Sequence, residues 1–136
     1  MITYVDASVL LRVIQGATGA LATWSEIDPV SSVLIRVECL RAIDRARTRG
    51  KGTDLEIADH RSDVHDALSG FSLAPITDSI LIRAADPFPT ALGTLDALHL
   101  ATALQLREDL PMLGFATHDV ELAVAARSVG FDVVGG

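Results

Sequence analysis

Residues 2–15 read Ile-Thr-Tyr-Val-Asp-Ala-Ser-Val-Leu-Leu-Arg-Val-Ile-Gln, and this stretch decides the fold class. Its first four residues, Ile2–Val5, are typical of a short buried strand that ends at Asp6. Residues 7–15 then have helical character until Gly16 interrupts them. A buried strand that passes through one acidic residue into a helix predicts the opening unit of an α/β domain.

The same alternation continues to the end of the sequence. Thr53 and Glu56 form a capping box, which predicts a helix start there. Further strands are predicted at 30–32, 71–75, 111–116 and 131–134, and helices at 20–26, 33–49, 53–68, 77–85, 94–107 and 120–129. We therefore expect a single domain over residues 1–136, an α/β layered fold with a mostly parallel central sheet flanked by helices.

Composition narrows the class of protein. The sequence has 136 residues, 49% of them hydrophobic, which suits one compact domain. Cys39 is its only cysteine, so no internal disulfide is possible and a reducing compartment is favoured. No apolar run approaches the length of a membrane span, and no basic flank precedes the apolar N-terminal residues. We expect a soluble, cytoplasmic protein with no membrane partner.

The charge distribution leaves a nucleic-acid partner open. A formal net charge of -7 argues against phosphate binding, which normally uses a surplus of basic residues. However, six of the eleven basic residues lie between Arg36 and Lys51. Arg41 and Arg45, one helical turn apart, are the best candidates to contact a phosphate backbone, although a solvated helix face paired with Asp44 explains the group equally well.

Four carboxylates are distinguished by their positions in the sequence. Asp6 and Asp119 follow predicted strands, at the edge where open α/β sheets form their sites, although either residue could simply cap a helix. Asp96 lies in a helix that is apolar on nearly all sides, so its charge needs a partner. Glu38 lies at the margin of an apolar stripe. Acids that converge on one sheet edge repel one another, and Mg²⁺ or Mn²⁺ with oxygen ligands would relieve that repulsion.

Four segments of the sequence together resemble the ordered acidic motifs of PIN domains. They are Tyr-Val-Asp-Ala-Ser-Val-Leu at 4–10, Val-Glu-Cys-Leu-Arg at 37–41, Leu-Asp-Ala-Leu-His-Leu-Ala-Thr-Ala at 95–103 and Phe-Ala-Thr-His-Asp-Val-Glu-Leu at 115–122. The similarity spans almost the whole sequence and is strongest to VapC-type toxins of toxin–antitoxin systems. It implies a Mg²⁺- or Mn²⁺-dependent endoribonuclease that hydrolyses RNA.

The resemblance also assigns roles to individual residues. Asp6 and Asp96 would be the principal metal ligands, and Glu38 and Asp119 would complete the catalytic quartet. Ser8 and Thr117 fall where the family often places a hydroxyl beside the acids, with local helix capping as the alternative. His99, one turn after Asp96, is expected to be a buried histidine satisfied by a neighbour rather than an acid catalyst, and His118 is expected to be exposed.

Partners follow from the resemblance as well. A VapC-type toxin is expected to form a homodimer and to be neutralised by a cognate VapB-like antitoxin, whose C-terminal segment binds a hydrophobic groove. Candidate groove residues lie around the first two predicted helices, with ordinary core packing as the alternative for most of them: Leu10, Leu11, Ile14 and Trp24.

Two other functions remain open at this stage. The first is a non-catalytic α/β protein-binding module with a degenerate acidic site, in which the acids act only as caps. The second is aspartyl-phosphate chemistry at Asp6. That chemistry is disfavoured because residue 8 is Ser rather than a second Asp, and because the only lysine, Lys51, follows a helix rather than a late strand.

Overall fold

The computed structural model describes residues 1–16 and 18–136. The strands are β1 (Ile2–Val5), β2 (Asp28–Ser32), β3 (Ser72–Ala74), β4 (Gly114–Ala116) and β5 (Val133–Val134). The helices are α1 (Ala7–Ile14), α2 (Leu34–Thr48), α3 (Asp54–Leu68), α4 (Asp78–Ala85), α5 (Thr94–Asp109) and α6 (Val120–Ser128). Within the described residues the strands form one sheet in the order β3-β2-β1-β4-β5, and every pairing is parallel. The predicted α/β fold is confirmed.

β1 is the middle strand of this sheet. Its Tyr4 pairs with Val30 of β2 on one side and with Phe115 of β4 on the other. Because all strands run in the same direction, the residues that follow β1 and β4 meet at one edge. The sequence order of the strands also reverses at this position, and open α/β sheets form their crevice at such a point. The topology therefore brings Asp6 and Thr117 to that edge.

Helices cover both faces of the sheet. Tyr4 packs with Leu100 of α5 and Leu122 of α6 in one buried cluster. The next residue, Val5, packs with Val9 of α1 in another cluster. Successive strand residues face opposite sides, so these two clusters lie on opposite faces of the sheet. Each large apolar side chain buried in this way contributes about 1.5–3 kcal/mol.

One predicted helix is wrong. Residues 20–26 were expected to be helical, but only Trp24–Glu26 form a single 3-10 turn, and no side chain caps it. The Trp24 N–H donates to the Leu21 carbonyl, and Trp24 packs at a ring distance of 6.0 Å from Phe71. These contacts hold the segment as a turn against the core. A seven-residue helix without a cap is only marginally stable, so the contacts determine the conformation here.

The start of β2 also differs from the prediction, which closed the preceding helix at Asp28 and Pro29. Both residues belong to β2. The Asp28 N–H donates to the Met1 carbonyl on the β1 side, so the nitrogen of Pro29 faces β3. Pairing with β3 begins only at Val30, and the missing N–H of proline therefore disrupts no sheet hydrogen bond.

None of the described helices has both the length and the apolar character needed to cross a bilayer.

Candidate active site at the carboxyl edge of the sheet

Asp6 is buried directly after β1, where it caps α1. The Val9 N–H donates to its Oδ1 at 3.3 Å and the Ser8 hydroxyl donates to the same oxygen at 2.6 Å. The Thr117 hydroxyl donates to Oδ2 at 2.7 Å. Burial raises the pKa of the Asp6 carboxyl, while these three donors oppose the rise. Asp6 is thus a cap with a fixed orientation, and Oδ2 retains a lone pair for a further contact.

Ser8 and Thr117 join the two strand ends around Asp6. Besides donating to Asp6, the Ser8 hydroxyl accepts the His118 N–H at 2.9 Å. The Thr117 hydroxyl accepts the Asp119 N–H at 3.0 Å. Each hydroxyl therefore connects the carboxylate that follows β1 with the backbone that follows β4. Both residues position Asp6 in this structure, which goes beyond local helix capping.

Asp119 lies at the start of α6, on the same sheet edge. Its Oδ1 accepts the Leu122 N–H at 2.9 Å, so it is an N-cap as the simpler interpretation predicted. Its side chain is nevertheless exposed, which leaves the second oxygen open to solvent. The cap and a contact with a ligand are therefore compatible.

Of the four acids, Asp96 has the fewest contacts that could stabilise its charge. It lies in the first turn of α5, half-buried, and no hydrogen-bond or ion-pair partner for its carboxylate is found among residues 1–16 and 18–136. The pKa of Asp96 is raised to about 6, mainly by burial and then by the nearby charges of Asp119, Asp6 and Glu38, which His99 only partly offsets. Asp96 is thus close enough to each of the other three predicted acids to be affected by its charge.

Glu38 reaches this group from α2 through a partly buried contact. Its Oε1 meets Nε2 of His99, and the other ring nitrogen of His99 lies 2.6 Å from the Tyr4 hydroxyl. His99 is almost fully buried, and both of its nitrogens have partners. The expectation of a buried histidine satisfied by neighbours is confirmed. The partnership with Tyr4 was not predicted, although a fully buried tyrosine hydroxyl normally requires a partner.

The four acids do not form a complete metal cage. In the part of the chain that the structure describes, no group of three or more His, Cys, Asp or Glu side chains is arranged to hold a metal ion. Their oxygen donors still match the chemistry of Mg²⁺, which keeps several waters and commonly takes one or two protein carboxylates. The donor set therefore fits a largely hydrated magnesium ion and not a closed site.

The basic residues of α2 divide into two groups. Arg47 pairs with Asp44 at 2.9 Å and Arg36 bonds Nδ1 of His65, as expected for a solvated face. Arg41 and Arg45 instead line a groove of about 280 Å³ that also contains Glu38. These two arginines are therefore adjacent to the acidic group.

The four candidate groove residues differ in burial and in location. Leu10 is fully buried in the core cluster of α1, α2 and α3, so it is not available to a partner. Leu11 lines the groove beside Arg41, whereas Ile14 and Trp24 are half-buried against the core. Core packing is thus the correct interpretation for Leu10.

His118 is half-buried, and the prediction that it is exposed is wrong. Its Nδ1 lies 2.8 Å from the Gly135 carbonyl oxygen, because β5 brings residue 135 alongside the end of β4. Its Nε2 is buried and has no partner among the described atoms. The C-terminal strand causes this burial, and the local sequence around His118 contains no signal for it.

Solved structures support the fold assignment. A toxin–antitoxin complex from Klebsiella pneumoniae superimposes with a TM-score of 0.63 and 18% identity over 97% of this chain and 95% of that one. The crystal structure of PAE2754 from Pyrobaculum aerophilum gives a TM-score of 0.62 and 21% identity over 98% of this chain and 84% of that one. At these identities the similarity establishes the fold alone.

Sequence comparison identifies the family to which the chain belongs. The PIN domain family profile matches residues 3–127. Ribonuclease VapC47 of Mycobacterium tuberculosis is 32% identical over 94% of this chain and 92% of that protein. Ribonuclease VapC46 of the same species is 36% identical over 77% of this chain and 72% of that protein. With this coverage and the acidic motifs at the sheet edge, the chain belongs to the PIN-domain family, among its VapC-type proteins.

Proposed function

We propose that this protein is a Mg²⁺- or Mn²⁺-dependent endoribonuclease that acts as the toxin of a VapBC-type module. The observation that carries the proposal is the convergence of Asp6, Glu38, Asp96 and Asp119 at the carboxyl edge of the sheet, with Asp96 close enough to the other three for their charges to raise its pKa. Curated relatives that match most of the chain are named ribonucleases, and this supports the same reaction here.

Asp96 and Asp6 are the proposed direct metal ligands. Asp96 has no other partner among the described residues, and Oδ2 of Asp6 has one lone pair left after the bond from Thr117. Glu38 and Asp119 would complete the site, Asp119 through water. The bound ion would neutralise charge on the scissile phosphate and lower the pKa of the attacking water. Ser8 and Thr117 hold Asp6 in the orientation that this requires.

Arg41 and Arg45 are the proposed contacts for the RNA backbone. Both line the groove that contains Glu38, and neither takes part in an ion pair within the described residues. Guanidinium groups suit bidentate phosphate contacts. The backbone of an RNA strand placed there would lead toward the acidic group.

The proposed partners are a VapB-like antitoxin and a second copy of this chain, in the cytoplasm. The VapC-type family assignment supports the antitoxin, and the groove beside Leu11, Leu34 and Val37 offers an apolar surface for one of its segments. Val37 is largely exposed in the isolated chain, so a bound segment would cover it.

The alternative is a non-catalytic protein-binding module with a degenerate acidic site. The absence of a complete metal cage among the described side chains favours it. In that case Asp6 and Asp119 would serve only as the helix caps that they form here.

Cleavage of RNA by purified protein distinguishes the two functions. Structured and single-stranded RNAs would be incubated with Mg²⁺ or Mn²⁺, with an EDTA control, and wild type would be compared with Asp96→Asn. Asp109→Asn, at the exposed opposite end of α5, is the matched control. We expect cleavage at discrete positions by wild type and Asp109→Asn, and none in EDTA or by Asp96→Asn. Equal behaviour of all three proteins on every RNA would support the binding module instead.

A further inference from the structure

We propose that His99 and Tyr4 are positioning residues that hold the Glu38 carboxylate at the acidic site through a Tyr4–His99–Glu38 network. In this network the Tyr4 hydroxyl donates to Nδ1 of His99, and Nε2–H of His99 donates to Oε1 of Glu38. This inference rests on the function proposed above, and it assigns a role to two residues that contact neither the metal nor the RNA.

The position of Glu38 on α2 explains why its side chain needs a partner to fix its orientation. Glu38 is half-buried at the margin of the exposed face of α2, between the exposed Val37 and the buried Cys39. The Glu38 side chain has three rotatable bonds, so holding it in one orientation costs conformational entropy. Even so, only 20% of the Glu38 side chain is exposed, and its sole ion-pair contact among the described residues is His99. The orientation of Glu38 therefore depends on His99.

The direction of the hydrogen bonds follows from the donor inventory. A carboxylate only accepts, so Nε2 of His99 must carry a proton toward Glu38. In the neutral form of His99 this proton is the only N–H of the ring, which leaves Nδ1 as the acceptor for the hydroxyl at 2.6 Å. A phenol has an ordinary pKa of about 10, so at neutral pH the Tyr4 hydroxyl carries the proton that it donates. Tyr4 thus selects the tautomer that binds Glu38.

The network also links the elements that carry the other acids. Tyr4 lies on β1, two residues before Asp6, and His99 lies on α5, three residues after Asp96. Glu38 joins them from α2 through its contact with His99. A single buried set of contacts therefore fixes three acids relative to one another. Partners that orient metal ligands in this way typically change metal affinity by 10–100-fold when they are removed.

Substitutions can break the network with little change in shape. Tyr4→Phe removes only the hydroxyl and keeps the ring that stacks on Phe115 at 5.2 Å. His99→Leu removes both nitrogens, whereas His99→Gln restores one N–H donor toward Glu38. Thr3→Val is the matched control, because it deletes a buried hydroxyl on the same strand whose bond goes to the Met1 carbonyl. Thermal unfolding monitored by circular dichroism would establish that each variant is folded.

The primary readout is the Mn²⁺ dissociation constant, measured by electron paramagnetic resonance of free Mn²⁺. We expect His99→Leu to bind 10–100-fold more weakly than wild type, Tyr4→Phe to fall between them, and His99→Gln to recover part of the loss. Thr3→Val should bind like wild type. Raising Mn²⁺ should restore RNA cleavage to His99→Leu but not to Asp96→Asn.

Two results would overturn the inference and are distinguishable from each other. If wild type binds Mn²⁺ in an Asp96-dependent site and folded His99→Leu binds it equally well, the network has no positioning role and the proposed function stands. If wild type binds no Mn²⁺, the proposed function fails and the positioning role fails with it. Nitrogen-15 shifts of the His99 ring in metal-free protein provide a separate test, and an Nδ1–H tautomer would also contradict the network.

Discussion

Asp6 is buried and Asp96 is half-buried at the sheet edge, but the two carboxylates differ in their hydrogen-bond partners. Asp6 has hydrogen-bond donors on both oxygens, whereas the structure describes none for Asp96. Burial alone raises the pKa of a carboxyl group, and donors lower it again. Asp96 also faces the charges of Asp119, Asp6 and Glu38, and its pKa reaches about 6. Asp96 is therefore the residue whose charge the metal-free fold tolerates least.

Replacing Asp96 by Asn should stabilise the metal-free protein only at higher pH. The folded state holds the Asp96 proton more tightly than the unfolded state does, because the pKa is about 6 instead of the ordinary 3.8. The ionised group therefore destabilises the fold progressively as pH rises from about 4 to about 6, and fully above that range. In EDTA, we expect the Tm of Asp96→Asn to equal that of wild type below pH 4 and to exceed it above pH 6.

Two comparisons complete this measurement. Asp109→Asn should follow wild type across the whole pH range. Added Mn²⁺ should raise the Tm of wild type above pH 6 by mass action and leave Asp96→Asn unchanged. A constant difference between Asp96→Asn and wild type at every pH would contradict the electrostatic explanation.

Thr117→Val tests the support of Asp6. The substitution keeps the shape of a fully buried side chain but removes the hydroxyl that donates to Oδ2. Hydrogen bonds to charged groups contribute about 1.5–3 kcal/mol, so we expect a loss in that range in the free energy of unfolding by urea at pH 7. Thr102→Val, which deletes a bond to the Leu98 carbonyl, should lose only about 0.5–1.5 kcal/mol. Equal losses in both variants would remove the special role of Thr117.

At the residue scale, the sequence identified the acids but not their partners. Asp6 and Asp119 were recognisable because each follows a strand and precedes a helix, and Asp96 because apolar residues surround it. The contact of His99 with Glu38 spans 61 positions, and that with Tyr4 spans 95. Such contacts depend on how α2 and α5 pack against β1, and no local pattern encodes that packing.

At the scale of the elements, side-chain caps explain which helix starts were predicted well. Thr53 and Glu56 form the expected capping box, with both reciprocal bonds at 3.2 Å. Thr77 and Asp119 cap α4 and α6 close to the predicted starts. The segment 20–26 has no such cap, and its expected helix reduces to one 3-10 turn. Local chemistry thus determines boundaries where a cap exists, and tertiary contacts determine them elsewhere.

Thr53→Ala should weaken α3 by the usual contribution of an N-cap. Removing the hydroxyl leaves the Glu56 N–H without its acceptor, so we expect a loss of about 0.5–2 kcal/mol in the free energy of unfolding. Thr48→Ala, at the C-terminal end of α2, removes only a bond from the Thr48 hydroxyl to the Arg45 carbonyl. Chemical denaturation would compare the two variants, and a larger loss for Thr48→Ala would contradict the capping argument.

At the scale of the whole molecule, the alternation of strands and helices predicted a parallel sheet but not the order of its strands. Placing β1 between β2 and β4 depends on contacts between distant parts of the chain. The charge of the molecule is likewise uneven, because a total of -7 coexists with a basic strip on α2. RNA binding should therefore depend on a few arginines, not on a general attraction.

Salt dependence tests that expectation. For single-stranded RNA, the logarithm of the binding constant falls with the logarithm of salt concentration by about 0.7 for each phosphate contact. In an Asp96→Asn background, we expect replacement of Arg41 and Arg45 by Ala to reduce this slope by about 1.4 in fluorescence anisotropy titrations. Arg47→Ala should leave the slope unchanged, because Arg47 is paired with Asp44. An unchanged slope in the double variant would place the RNA elsewhere.

The position of β1 in the sheet determines how much of the chain must be synthesised before the site can form. β1 is synthesised before β2 and β4, which flank it in the sheet, and Oδ2 of Asp6 gains its partner only after Thr117, 111 positions later, has been synthesised. At roughly 5–20 residues per second, several seconds or more separate the synthesis of the two residues. Shorter nascent chains lack both Thr117 and Asp119. If the protein is the nuclease proposed here, a nascent chain that ends before Asp119 has no complete site and cannot yet cleave its own messenger RNA.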